Sequence, residues 1–147
     1  MYAEVQKGND IVIGSRYMKG GGIREWPLKR RVLSVGATFL GRLLFPTITD
    51  PVSGFFAVRK LVVLQAPLKP RGYKILLEVL GKGQWQTSTE IPFEFVNRET
   101  GASKLKIITI IEYARQVLDI LIFSVFHRNN PAAREWKRAL FRDRSPE

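Results

Sequence analysis

Arg30 and Ser34 stand four residues apart, the spacing that puts two side chains on one face of a helix. A guanidinium with paired donors in a fixed plane, beside a hydroxyl, makes a cradle for a phosphate. Lys29 and Arg31 flank them, and such a run is also what an ordinary solvated helix face looks like. Arg16 offers another cation where an apolar run gives way to the loop Tyr17-Met-Lys-Gly-Gly-Gly-Ile-Arg-Glu25. In open α/β sheets ligands sit at such strand ends; a solvated arginine is the plain alternative. Asp50 lies in Thr49-Asp-Pro-Val-Ser-Gly-Phe55. It either bonds its own backbone to hold a turn or presents a carboxylate that orients a nucleophile or touches a metal. Arg98 and Lys104, in one polar loop, could close over an anionic ligand or merely line a solvated connection.

Absences narrow the chemistry. There is no cysteine, and His127 is the single histidine. Disulfides, thiol nucleophiles and zinc sites of several histidines are therefore excluded. The aspartates are Asp10, Asp50, Asp119 and Asp143, so no Asp-x-Asp pair exists, and neither a GxGxxG nor a Walker loop occurs. The chain lacks the usual self-contained means of holding a nucleotide and its magnesium. Its 24 Lys+Arg against 13 Asp+Glu give a net charge of +11. Such a surface seeks anions: nucleic acid, acidic lipid headgroups or phosphorylated substrates.

The elements that must position these residues are legible from the pattern. A chain of 147 residues, 45% hydrophobic and 25% charged, suits one domain rather than two and is not disordered throughout. Asp10-Ile-Val-Ile-Gly14 predicts a short strand buried on both faces. Trp26-Pro27 opens a long helix ended by Pro46, with proline in its favoured first turn. Leu28, Val32, Val35, Phe39, Leu43 and Leu44 form its apolar stripe, and Arg30, Ser34 and Gly41 lie on a different face. A strand is expected over 55–58, a brief helix over 60–65 and another over 73–80, stopped by Gly81 and Gly83. Residues 86–96 alternate as a strand, with Pro92 marking an edge or a bulge. The helix over 107–126 is interrupted by Glu112, Arg115 and Asp119, too often for a membrane span. A second amphipathic helix from Pro131 leads into a basic tail. No apolar stretch of signal-peptide length opens the chain, so secretion is not expected.

Taken in order, these motifs resemble the C-terminal part of a family-2 glycosyltransferase of the dolichol-phosphate mannosyltransferase type. The resemblance is carried by Asp10-Ile-Val-Ile-Gly-Ser-Arg-Tyr17, Gly20-Gly-Gly22 and Trp26-Pro-Leu-Lys-Arg-Arg31 with Ser34, Gly36 and Ala37. It continues through Thr49-Asp-Pro-Val-Ser-Gly-Phe55, Gly72-Tyr-Lys-Ile-Leu-Leu-Glu78, Glu90-Ile-Pro-Phe-Glu-Phe95, Arg98 and Gly101-Ala-Ser-Lys-Leu105. Order and spacing agree over residues 9–120.

The resemblance implies an α/β fold: the C-terminal portion of a GT-A, Rossmann-like domain over 1–106, then amphipathic interfacial helices and a basic tail over 107–147. It implies transfer of mannose from GDP-mannose to a polyprenyl or dolichyl phosphate at the cytoplasmic face of a membrane with an anionic surface. It gives Arg16 and Asp50 catalytic positions, and Arg30, Ser34, Arg98 and Lys104 the acceptor phosphate. A Mg or Mn ion is expected for the complete enzyme, with no self-contained metal site here. A phosphate monoester is already anionic near neutral pH, so cationic side chains need only position it against the sugar carbon. Phe56 departs from relatives that carry arginine there, and Arg59 is a candidate substitute. The family's N-terminal half has no counterpart in these residues, so the chain is expected to be a fragment, inactive alone, whose other half comes from upstream or from a separate chain. The alternatives are a polyprenyl-phosphate glucosyltransferase, a non-catalytic membrane-associated remnant and a basic nucleic-acid-binding module; nucleic acid is not the expected partner.

Overall fold

The computed structural model describes residues 1–64, 66–68, 74–96 and 107–128. A short helix α1 (Tyr2–Gln6) leads into β1 (Ile11–Ser15) and β2 (Gly22–Arg24), followed by the long helix α2 (Leu28–Leu44). After β3 (Phe56–Val58) and α3 (Lys60–Leu64) come α4 (Ile75–Lys82), β4 (Ser88–Pro92), β5 (Glu94–Val96) and α5 (Ile107–Arg128). The helix expected from Pro131 lies outside the described residues.

β1 is the central strand of a three-stranded sheet, antiparallel to β3 and parallel to β4. Its Ile11, Val12 and Ile13 are wholly buried, as expected for a strand covered on both faces. Ile11 and Ile13 pack with Ile48, Val62, Leu76, Val79 and Leu80. Each such side chain contributes about 2 kcal/mol by leaving water. Asp10, at the entrance to β1, is buried too, and its carboxylate accepts the backbone N–H groups of Gln86 and Thr87. That ties the start of β1 to the start of β4.

The loop expected over residues 17–25 contains a strand. β2 pairs in parallel with β5, Ile23 opposite Phe95, and Arg24 makes an ion pair with Glu94. The single strand expected over 86–96 divides after Pro92: β4 serves the edge of the main sheet and β5 the two-stranded one. The Phe93 N–H still donates to the Ser15 carbonyl across the break. Gly81 does not stop α4, which runs to Lys82; a Cβ there would come 2.6 Å from Ile120 Cγ2, so glycine permits close contact between α4 and α5.

Both long helices turn their apolar stripes outward. In α2 the buried residues are Thr38 and Gly41, while Leu28, Val32, Val35, Phe39 and Leu43 are exposed. In α5 the polar Gln116 is buried and donates to the Lys74 carbonyl, and Ile120 enters the core. Ile108, Ile111, Leu118 and Ile122 remain exposed. Tyr113 joins the two helices, its hydroxyl donating to the Ala37 carbonyl at 2.7 Å.

Candidate functional site

The polar cluster forms where β1 ends. Ser15 and Arg16 leave the strand fully or nearly buried, and α2 lies close enough for Arg16 Nη1 to reach Ser34 Oγ at 3.4 Å. The turn at residues 50–53 comes from below α2. Gly41 makes room for it, since a Cβ there would meet Pro51 Cγ at 2.7 Å. Val52 anchors the turn in an apolar cluster with Leu77 and Ile120.

Arg16 and Asp50 form a forked ion pair, Nε to Oδ2 at 2.7 Å and Nη2 to Oδ1 at 2.8 Å. The Arg16 backbone N–H adds a bond to Oδ2 at 3.1 Å. Burial alone lowers the pKa of Arg16, but the hydrogen bonds and charge of Asp50 outweigh it and the net direction is upward. The guanidinium therefore stays charged, as arginine does in proteins. Asp50 neither bonds its own backbone with its carboxylate nor presents it outward; its oxygens orient Arg16.

Around this pair the aromatics set the planes of the cations. Arg30 lies 4.1 Å over the Trp26 ring, which meets Phe95 edge-on. Arg16 lies 5.2 Å from the centre of Tyr17, whose hydroxyl is 3.2 Å from Ser34 Oγ. Such stacking holds a guanidinium where electrostatics and ring packing agree. Arg16, Asp50, Ser34 and Arg30 thus lie in one neighbourhood. Lys29 and Arg31 are exposed. Arg98 and Lys104 lie outside the described residues. Arg59 is at the other end of β1, near Asp10 and bonded to the Val5 carbonyl, so it cannot stand in for an arginine at position 56.

Two residues that sequence reasoning passed over belong to the cluster. Glu90 accepts Thr49 N–H with Oε2, and Thr49 Oγ1 and Asp50 N–H with Oε1. One carboxylate on β4 thereby fixes the loop that carries Asp50. Lys74 reaches the same turn, its amine donating to the Val52 carbonyl at 3.3 Å. A lone lysine directly before the apolar run Ile75–Leu77 was the available signal, since a charge leading a buried helix needs a destination.

The described residues do not make a divalent-ion site. Among the described residues no three of His, Cys, Asp and Glu gather around one point, and both oxygens of Asp50 are engaged by Arg16. Also among the described residues, no helix is long and apolar enough to cross a membrane.

No protein-family model matches the chain. Curated proteins do. A dolichol-phosphate mannosyltransferase of Pyrococcus furiosus is 48% identical over 120 residues, covering 80% of this chain and 34% of the relative. One from Saccharomyces cerevisiae is 36% identical, covering 82% and 48% respectively. A polyprenol monophosphomannose synthase of Mycolicibacterium smegmatis is 35% identical over 107 residues, 69% of this chain and 40% of the relative. The chain spans less than half the length of each. The motif order, the mixed α/β sheet and these identities agree: the chain is homologous to part of the length of proteins named dolichol-phosphate mannosyltransferase.

Proposed function

We propose that this chain forms the acceptor side of a mannosyl transfer from GDP-mannose to a polyprenyl phosphate such as dolichyl phosphate. The observation that carries the reading is the convergence of Arg16, Ser34 and Arg30 at the end of β1. Asp50 neutralises one positive charge, and the remaining cations suit a phosphate monoester. Lys29, Arg30 and Arg31 also occupy the first turn of α2, which has no acidic residue there. Cations at that end oppose the helix dipole by about 0.3–1 kcal/mol each, and a bound anion would relieve the repulsion.

In this reading the arginines hold the phosphate and aim one oxygen at the sugar carbon. That oxygen is the nucleophile and GDP departs. Arg98 and Lys104, which lie outside the described residues, are assigned to the same phosphate. A divalent ion, where the whole enzyme uses one, takes ligands beyond the described residues. Residues 1–106 are assigned to the transferase domain and 107–147 to the membrane-facing helices. The outward apolar faces of α2 and α5 rest on the cytoplasmic face of an anionic bilayer.

Citronellyl phosphate, a short soluble prenyl phosphate, tests the site directly by calorimetry with this chain. Arg30→Ala should weaken binding roughly ten- to hundredfold, because hydrogen bonds to a charged group are worth about 1.5–3 kcal/mol. Arg30→Lys should also weaken it, since the charge stays and the fork is lost. Ser34→Ala should be milder. If Lys29→Ala weakens binding as much as Arg30→Ala, the helix is only a basic surface and the specific site does not exist.

A further inference from the structure

We infer that Lys74 is a further phosphate-contacting residue of this site, its ammonium meeting the same anionic group as Arg16 and Arg30. The inference rests on the acceptor-site reading and extends it to a residue on a different element. Lys74 immediately precedes α4, where Leu76 to Leu80 are all buried. Its carbonyl accepts from Leu77 N–H and from Gln116 Nε2. The main chain at Lys74 is therefore held between α4 and α5.

The amine runs back to the turn that carries Asp50. An ammonium has three N–H donors; among the described residues one of them is used, on the Val52 carbonyl. The neighbouring Asp50 carboxylate is engaged on both oxygens by Arg16. Arg16 and Arg30 both act by charge on Lys74, with Asp50 opposing them, and the Glu90 carboxylate stands on the far side of the same turn, bonded to Thr49 and to the Asp50 N–H. The amine's pKa is lowered to about 8 by burial, then by Arg16 and Arg30, with Asp50 opposing. A lysine in that state is short of an anion. A phosphate supplies both what the charge lacks and acceptors for the unused N–H groups.

A plain structural role would have Lys74 only tie the start of α4 to the Asp50 turn. The two roles differ in what happens on adding phosphate. A contacting anion favours the charged amine, so its pKa rises on binding and removing the amine weakens binding; a structural tie would leave the affinity unchanged in Lys74→Gln, whatever charge the arginines hold nearby. The phosphate could be the lipid's monoester or the diphosphate of the nucleotide sugar, and two ligands separate them.

The experiment is an NMR pH titration of the chain with 13Cε-labelled lysine, the Lys74 signal being assigned by its loss in Lys74→Arg. It is run alone, with saturating citronellyl phosphate, and with GDP-mannose. The expected result is a lysine titrating near pH 8 that moves up by about one pH unit or more with the prenyl phosphate only. Lys74→Gln should then weaken citronellyl phosphate about tenfold at pH 7. A rise with GDP-mannose alone keeps Lys74 as a phosphate contact and assigns it to the donor. If the prenyl phosphate binds, and binding is weakened by Arg30→Ala, yet the Lys74 titration does not move or Lys74→Gln leaves the affinity unchanged, this inference falls and the acceptor site stands. If the chain binds neither ligand, both fall.

Discussion

The Asp50 carboxylate is gripped on both oxygens by the Arg16 guanidinium, and Arg16's own backbone N–H adds a third bond to it. The pair therefore links the end of β1 to the turn below α2, which are 34 residues apart in sequence. Glu90 holds that turn from β4 through Thr49 and Asp50. The direction in which Arg16 points is thus set by two carboxylates, neither of which needs to meet a substrate.

Asp50→Asn should test this first. The substitution keeps the shape but leaves the Arg16 guanidinium buried without its counter-charge. Breaking a buried pair in this way costs about 3–5 kcal/mol. A urea midpoint should fall accordingly, and a loss below about 1 kcal/mol would show the pair to be well hydrated. Because the charge is removed from the cation cluster as well, the Lys74 amine should titrate lower than in the parent, Asp50 being the group that raises it.

Two glycines in helices should respond in opposite directions to the same change. Nothing lies within 4 Å of a Cβ added at Gly36 in α2, so Gly36→Ala should stabilise by about 0.8–1 kcal/mol through helix propensity alone. At Gly81 the added Cβ would meet three atoms of the Ile120 side chain, the nearest at 2.6 Å. Overpacking of that kind costs about 1–3 kcal/mol, more than the propensity gain. Denaturation of both single variants gives the signs. Repeating Gly81→Ala on an Ile120→Ala background should turn its effect favourable, and an unchanged penalty there would place the strain elsewhere.

The sequence showed β1, α2 and the order of the site motifs because each is a local pattern. An apolar run, a proline-opened amphipathic stretch and an Asp-Pro turn need no distant partner to be recognised. β2 was not visible, nor was the division of the strand expected over 86–96 into β4 and β5, since three residues such as Gly22–Arg24 become a strand only by pairing with a segment far along the chain. The stripes of α2 and α5 were visible, but not which stripe faces the core. Thr38, Gly41 and Gln116 turn inward because the turn at Pro51 and the Lys74 carbonyl require close or polar neighbours there. The roles of Glu90 and Lys74 depend on contacts 22 to 41 residues away, which spacing within one element cannot reveal.

Tyr113 should make stability fall at high pH. Burial pushes its phenol up to about 12, against an ordinary value of 10.0. Between those values the unfolded chain has lost the proton and the folded chain keeps it, so the folded state binds more protons. Stability is then complete below pH 10 and is lost as pH rises toward 12. Tyr113→Phe should abolish that slope and cost about 0.5–1.5 kcal/mol at neutral pH, the worth of the bond to Ala37. Absorbance titration of the tyrosines reads the phenol directly, and a set of ordinary phenols with none near 12 would contradict the burial argument.

Binding to lipid vesicles tests the outward faces of α2 and α5. Leu28, Val32, Val35, Phe39 and Leu43 form one exposed apolar row along α2, the kind of contiguous patch that marks an interaction surface. Lys29 and Arg31 are exposed at the start of the same helix. A helix of this make-up lies in the headgroup region, apolar side down, with its cations attracted to acidic lipid. Flotation with anionic vesicles should therefore recover the chain at low salt and less of it as salt rises, since charges are screened over about 8 Å at physiological ionic strength. Removing Lys29 or Arg31 should reduce the salt-sensitive part, by about 1 kcal/mol for each cation near the surface. Phe39→Asp should lower binding at every salt concentration without lowering the urea midpoint, because the ring is exposed in the folded chain. The two outcomes that would overturn this are different in kind. Binding unaffected by Phe39→Asp would move the membrane contact off α2, and binding that survives both high salt and carbonate would require a segment inserted across the bilayer rather than helices resting on it.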